Sequence, residues 1–344
     1  MAVCVFLCYT ESAKEDAVEK VKWGVLGTAY IFERDTARGM KLAENCELIA
    51  IAGRNAQKAQ EFKEKYGFRK AYGNYDALLD DPEIEAVYIP LPNTLHYEWT
   101  IKALKCGKHV LCEKPLAPNR TQAQEMFNTA KKNKVFLMEA FAYLHSPYIK
   151  EIRSVIESGI IGDVRYAEAA LITSGYKSSN IRVRRETLGG ATYDVGVYAL
   201  SFIQHILKEE PEKVHASGIF SEEKIDLFST GILEYKLGAR AHFDCGMVLE
   251  TEKHAALNRF QIHGSKGALV SENFAFNAPG TLSYRVRTFG GADELKTVEV
   301  PNNYCLEVEQ LGRCIKNGET PYVTEEFSLS LAHTIDRVLE EIGY

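Results

Sequence analysis

From Val21 onward the chain alternates short apolar runs with amphipathic ones. VKWGVLG (21–27), ELIAIAGR, KAYG, EAVYIPLP, HVLCEKP and KVFLMEAF read as strands. TAYIFERDTARGMKLAEN, NAQKAQEFKEKYG, YDALLDD, TLHYEWTIKALKCG and NRTQAQEMFNTAKKNK read as helices, with Asn55 capping the second and Gly67 ending it. Strands rich in Val, Ile and Leu, each followed by a helix, are buried on both faces. The pattern predicts an α/β domain over 21–142, a doubly wound parallel sheet of the Rossmann kind.

After about residue 150 the period changes to two. VRYAEAALITSG, KVHASGIFS, STGILEYKLGARAHFDCGMVLE, RFQIHGSKGALV and TLSYRVRTFG alternate polar and apolar positions, mostly without helices between them. They predict a large, mostly antiparallel open sheet with one wet face. Helices around YCLEVEQLGRCIKNG and EEFSLSLAHTIDRVLEEIG close an α+β domain over 143–344, expected to bind substrate and to oligomerise. Residues 1–20 form an N-terminal extension; VCVFLC within it lacks the basic flank and cleavage site of a signal peptide.

The composition narrows the classes of partner. Apolar residues are 46% and charged ones 26% of 344, ordinary for a globular chain with two cores. A formal charge of −6 without a long basic run argues against a nucleic-acid partner, and no apolar stretch has membrane-span length. Eight cysteines show no metal-ligand spacing. Cys112 reads as a buried thiol rather than a nucleophile, and the cytoplasm is expected. No metal site is expected.

Two stretches carry candidate chemistry. GVLGTAYIF (24–32) stands where a G-x-G-x-x-G loop would cradle a pyrophosphate, with Gly27, Ala29 and Phe32 at the three positions. It fits either a cofactor loop or an ordinary strand–helix turn. The second strand ends in Gly53-Arg54-Asn55 instead of the acidic residue that holds an NAD ribose, so Arg54 is either a 2′-phosphate ligand, favouring NADP over NAD, or a solvated side chain. HVLCEKP ends the fifth strand and brings Lys114 to the ligand edge of the sheet, before Pro115. In GATYDVGVY (190–198), Asp194 and Tyr198 are four apart on a predicted helix. Lys114 beside Tyr198 would lower the phenol's pKa from its usual value near ~10 and make an acid/base pair across a cleft. The alternative is that Asp194 caps or pairs and Tyr198 packs in the core.

Taken together, the degenerate loop at 24–32, PNTLH (92–96), CEKP (112–115), MEAFAYLHSP (138–147), IGDVR (161–165) and GATYDVGVY resemble the glucose–fructose oxidoreductase / inositol dehydrogenase / rhizopine-catabolism (Gfo/Idh/MocA) family over 21–344. Tyr198, where the inositol dehydrogenases have histidine, resembles the branch with glucose–fructose oxidoreductase and the dimeric dihydrodiol dehydrogenases. The resemblance implies an NADP- or NAD-dependent oxidoreductase acting on a carbohydrate-like small molecule, with Tyr198 as acid/base, Lys114 in the catalytic site and Asp194 supporting substrate. It implies cofactor contacts at Gly27, Thr28, Ala29, Tyr30, Ile31, Arg54, Pro92, Asn93, His96, Glu113 and Lys114, and pairing through the C-terminal sheet into a homodimer or homotetramer. Leu188 stands where the family has a glycine. His145 is a candidate for the substrate pocket or for the hinge. Arg185, among the arginines of IRVRRE (181–186), is a candidate for an anionic substrate or a solvated loop; His205 reads as structural. A non-catalytic nicotinamide-binding sensor on the same fold is the competing reading.

Overall fold

The structure is a computed structural model that describes residues 18–249, 256–271, 274–291 and 293–344. Six parallel strands, β1 (Val21–Leu26), β2 (Cys46–Ala52), β3 (Lys70–Tyr72), β4 (Ala86–Ile89), β5 (His109–Glu113) and β6 (Leu137–Ala140), form a sheet in the order β3-β2-β1-β4-β5-β6. Between them run α1 (Ala37–Leu42), α2 (Ala56–Tyr66), α3 (Tyr75–Leu79), α4 (Asn93–Lys105) and α5 (Arg120–Asn133). Strand order reverses between β1 and β4, and ligand crevices form at such a switch point, outside the carboxyl ends of the strands. Asn55 caps α2 through Lys58 N–H, and Gly67 ends it at φ 80°. Residues 1–17, most of the expected extension, lie outside the described residues; Glu19 pairs with Lys316 at 2.9 Å.

One helix departs from expectation. The run after the glycine loop is not uniformly α-helical: Phe32–Thr36 is a π turn, with Ala37 N–H donating to Phe32 C=O, before α1 begins. Phe32, where the fingerprint wants a small residue, is fully buried against Tyr66 and Phe68, which replaces close helix–strand contact with aromatic packing.

After α6 (Pro147–Glu157), β7 (Val164–Ser174) and α7 (Val197–Leu207) lead into β8 (Lys213–Phe220), β9 (Asp226–Glu234), β10 (Arg240–Leu249), β11 (Leu257–Gly264), β12 (Gly267–Ser271), β13 (Gly280–Thr288) and β14 (Asp293–Val300). With β7 they form an eight-stranded sheet, antiparallel except where β7 pairs with β10. Its buried face carries Ala167, Phe243, Phe260 and Ile262 against α7, while Ile219 and Ile232 remain exposed on β8 and β9. The last helices, α8 (Asn303–Asn317) and α9 (Glu325–Ile342), return to the first sheet's layer. A Cβ on Gly39 of α1 would lie 2.5 Å from Tyr304 Cβ of α8, and Arg120 N–H donates to Asp336 of α9 at 2.9 Å. Helices that follow the second sheet in sequence thus brace the first. Among the described residues no helix is long and apolar enough to cross a membrane, and none of their groupings of His, Cys, Asp and Glu could hold a metal.

Candidate active site

The carboxyl ends of β1, β4 and β5 face a cleft of about 440 Å³ whose far wall comes from the second sheet and the segment 176–198. Lys114, just past β5, enters it with its side chain 11% exposed. The Lys114–Pro115 peptide is cis. Lys114 Nζ donates to the Asp194 carbonyl at 2.6 Å and lies 3.5 Å from Asp194 Oδ1. Arg182 Nε donates to that same oxygen at 2.9 Å, and Tyr176 O–H reaches Oδ2 at 3.5 Å. Burial works to raise the Asp194 pKa, but Lys114 and Arg182 outweigh it and hold the carboxyl below its ordinary value. Burial lowers the Lys114 pKa against the pull of Asp194 and Glu113.

Asp194 lies in a second π turn, Thr192–Gly196, closed by Val197 N–H on Thr192 C=O. Such widened turns recur at functional sites. Its start is fixed by buried Asp226, which accepts from the Thr192 amide and hydroxyl, each at 2.7 Å.

Tyr198 lines the cleft, but its relation to Lys114 differs from the expected one. The ammonium lies over the ring face, 4.6 Å from the centroid, and its hydrogen bonds go to Asp194. The partner of the phenol oxygen is Asn277 Nδ2 at 3.4 Å. Burial, with Glu113 and Asp194 adding to it, pushes the Tyr198 pKa well above its ordinary value. The expectation that Lys114 lowers it is therefore corrected: desolvation and two carboxyls dominate, and the phenol is held protonated.

Of the residues expected at the cofactor, Ala29, Tyr30, Ile31, Asn93, Glu113 and Lys114 line the cleft. Glu113 accepts from Tyr88 O–H at 2.6 Å, and burial raises its pKa. Gly27 ends β1 at φ +125°, and a Cβ there would lie 3.0 Å from Leu91. Thr28 C=O accepts from Lys58 Nζ at 2.9 Å, and a Cβ on Gly53 would sit 3.2 Å from the Thr28 methyl, which brings the loop beside the end of β2. Arg54 is exposed there without a carboxylate partner among the described residues. A bare glycine turn opening on a helical turn, with Lys58 and an uncompensated Arg54 alongside, fits a phosphorylated dinucleotide.

Other expected residues stand elsewhere. Pro92 caps α4 and does not line the cleft. His96 is fully buried, its ring nitrogens each 2.8 Å from a carbonyl, Pro115 on one side and Leu91 on the other. Burial favours the neutral ring, which can donate to only one of them; His96 sits between the Lys114 turn and the β4 exit and does not line the cleft. His145 is buried against Tyr322, outside the cleft, and burial lowers its pKa to about 3. Arg185 lies over the Tyr344 ring at 3.8 Å and donates to Lys224 C=O, so of the arginines in 181–186 it is Arg182 that lines the cleft. His205 lies outside the cleft, beside Tyr322. Cys112 is buried and its thiol pKa is pushed up, consistent with an inert core thiol.

Sequence reasoning missed Arg34, Tyr176, Asn258, Phe276 and Asn277, all of which line the cleft. No motif marks FAFNA (274–278), which becomes legible only when the loop after β12 folds over Tyr198. A groove of about 1480 Å³ near Phe127, Tyr322 and Phe327 shares no residue with the cleft and lacks its lysine–carboxylate–tyrosine set.

A profile described as oxidoreductase family, NAD-binding Rossmann fold, matches residues 21–141, and one described as the GFO/IDH/MocA C-terminal domain matches 149–270. The chain belongs to the Gfo/Idh/MocA family of oxidoreductases. It is 32% identical to a dTDP-3,4-didehydro-2,6-dideoxy-alpha-D-glucose 3-reductase of Actinomadura kijaniata, over 92% of this chain and 94% of that one. It is also 32% identical to a trans-1,2-dihydrobenzene-1,2-diol dehydrogenase of Xenopus laevis, over 94% and 98%. The crystal structure of KijD10, a 3-ketoreductase from Actinomadura kijaniata in complex with NADP and TDP-benzene, superposes with a TM-score of 0.87 at 29% identity, covering 94% of this chain and 98% of that one.

Proposed function

We propose that the chain is an NADP-dependent oxidoreductase that interconverts a CH–OH and a C=O group on a sugar, polyol or related cyclic substrate. The observation that carries the proposal is the convergence, in one cleft at the switch point, of Lys114, Asp194 and a protonated Tyr198. Glu113 and Asn93 would lie along a bound nicotinamide, which would supply or accept the hydride. Tyr198 donates its phenolic proton to the carbonyl oxygen during reduction and takes a hydroxyl proton during oxidation. Lys114 neutralises charge at the phenol's face, and Asp194, held by Lys114 and Arg182, orients a substrate hydroxyl. The cleft wall, with Asn258 and Asn277 set among Leu171 and Phe276, suits a ligand with both hydroxyl groups and a hydrophobic face.

Arg54, aided by Lys58, selects NADP over NAD through the 2′-phosphate. Ile219 and Ile232, exposed on β8 and β9, support pairing of two copies through the open face of the sheet.

The test is turnover. Purified protein with NADP⁺, and separately with NAD⁺, is offered aldoses, inositols, anhydro-sugars and trans-dihydrodiols while reduced-nicotinamide absorbance is followed. Turnover of one class supports the enzyme and names the substrate. Tight cofactor binding with silence across the panel and its ketone counterparts supports the sensor reading.

A further inference from the structure

The segment 181–190 forms one wall of the cleft, and of its side chains only the half-buried Val183 and Leu188 pack against the core. Its two short 3₁₀ turns, Ile181–Val183 and Arg185–Thr187, contain no buried residue. Its backbone is nevertheless tightly specified. Gly190 N–H donates to Arg182 C=O at 2.8 Å and Gly189 N–H to Arg184 C=O at 2.9 Å. A Cβ on Gly189 would lie 2.5 Å from the Arg182 oxygen, and Gly190 adopts φ +122°. Leu188 is left-handed at φ 51°, a conformation a branched side chain disfavours, so outside contacts must hold it.

Those contacts converge on Tyr344, which follows α9. Its hydroxyl donates to Gly189 C=O at 2.6 Å, and the Arg185 guanidinium stacks on its ring. Tyr193 packs edge-on against the same ring, 5.6 Å between centroids, and donates to Pro118 C=O at 2.8 Å in the turn after Lys114. Burial pushes the Tyr344 phenol up to about 12, so it remains a donor at any working pH. On the other side of the pinned carbonyl, Leu188 C=O accepts from Asn93 of the cofactor-side wall at 2.9 Å.

We propose that Tyr344 is a positioning residue of the active site: by pinning the Gly189 carbonyl and stacking under Arg185 it fixes the turn that sets Arg182 against Asp194 and Leu188 against Asn93. Arg185 thereby acquires a role in holding the wall rather than in touching substrate. The inference rests on the cleft being the active site, but the clamp can be read without turnover.

The test uses the NADP⁺-bound protein, wild type against Tyr344→Phe, which keeps the ring and loses one hydrogen bond, and Tyr344→Leu, which loses both contacts. Amide hydrogen exchange over 181–194 is expected to rise about fivefold in Tyr344→Phe and more than tenfold in Tyr344→Leu. Exchange in the β1–β6 sheet is expected to stay at wild-type values. With any substrate the wild type turns over, KM rises in Tyr344→Phe while kcat holds. Unchanged exchange over 181–194 overturns the clamp, and raised exchange with unchanged KM overturns its role in catalysis. If the wild type turns nothing over, the catalytic reading of the cleft fails while the exchange result still decides the clamp. Tyr344→Phe also keeps the test alive should Tyr344→Leu fail to fold.

Discussion

Lys114 and Tyr198 meet face to charge: the ammonium stands 4.6 Å from the centre of the phenol ring and gives its shortest hydrogen bond to the Asp194 carbonyl. This arrangement separates two roles that a direct ammonium–phenol bond would merge. Lys114 organises the carboxylate and places positive charge beside the ring, while the phenol oxygen remains available on the cleft side with Asn277 as its neighbour. Burial and the negative charges of Glu113 and Asp194 keep the proton on Tyr198.

A phenol held protonated makes reduction and oxidation respond differently to pH. The raised pKa means the acid form persists throughout the neutral range, so the reduction rate is expected to be flat between about pH 6 and 9. Oxidation needs the minor phenolate, whose population grows tenfold per pH unit below the pKa, and its rate should climb with a slope near one. Initial rates in both directions across that range check this.

Arg182 and Arg185 are close in sequence and differ in function. Arg182→Ala removes the 2.9 Å partner of Asp194 and leaves the buried carboxylate with Lys114 as its one charged partner among the described residues. Loss of a charge-assisted bond of this kind is worth about 1.5–3 kcal/mol, so kcat/KM should fall roughly 10- to 100-fold. Arg185→Lys, keeping a cation over Tyr344, should lose far less. Steady-state kinetics of the two variants distinguishes them.

Arg54 lies exposed at the end of β2, where an NAD enzyme carries a carboxylate. Arg54→Ala should weaken NADP⁺ binding by about 10- to 100-fold and leave NAD⁺ binding within twofold, since only the 2′-phosphate loses a partner. Calorimetric titration with each dinucleotide measures both.

Glu139, on β6, is 3% exposed, and burial pushes its pKa from 4.5 to about 7. Between those values the unfolded chain releases a proton that the native state keeps, so stability falls as pH rises through this window, by up to about 3 kcal/mol. Glu139→Gln removes that dependence. Urea unfolding at pH 5 and pH 8 should show the variant gaining on wild type at pH 8, with little difference at pH 5.

The sheet architecture was legible because strand and helix periods are written in the chain: buried strands such as ELIAIA and the cap pair Asn55 and Gly67 are local signals. The π turns at Phe32–Thr36 and Thr192–Gly196 were not, since one additional residue in a turn leaves no periodic trace. Lys114, Asp194 and Tyr198 were legible as a set through the family resemblance that EKP and the downstream D-x-G-x-Y carry together; the protonation of Tyr198 was not, because it depends on burial. His96 and Arg185 fall outside the cleft for one reason. Their side chains are turned by partners further along the chain, the Pro115 carbonyl for His96 and the Tyr344 ring for Arg185. Arg182 and Asn277 enter the cleft through loops whose course only the tertiary fold decides.

The most direct measurement is turnover by Tyr198→Phe beside wild type, on the best substrate of the panel, with NADP⁺ affinity measured on the same samples. The phenol as acid/base requires kcat to fall by ~10²–10⁴-fold while cofactor affinity stays within twofold. Wild-type turnover in Tyr198→Phe would contradict the account and assign the proton transfer to Lys114 or to water.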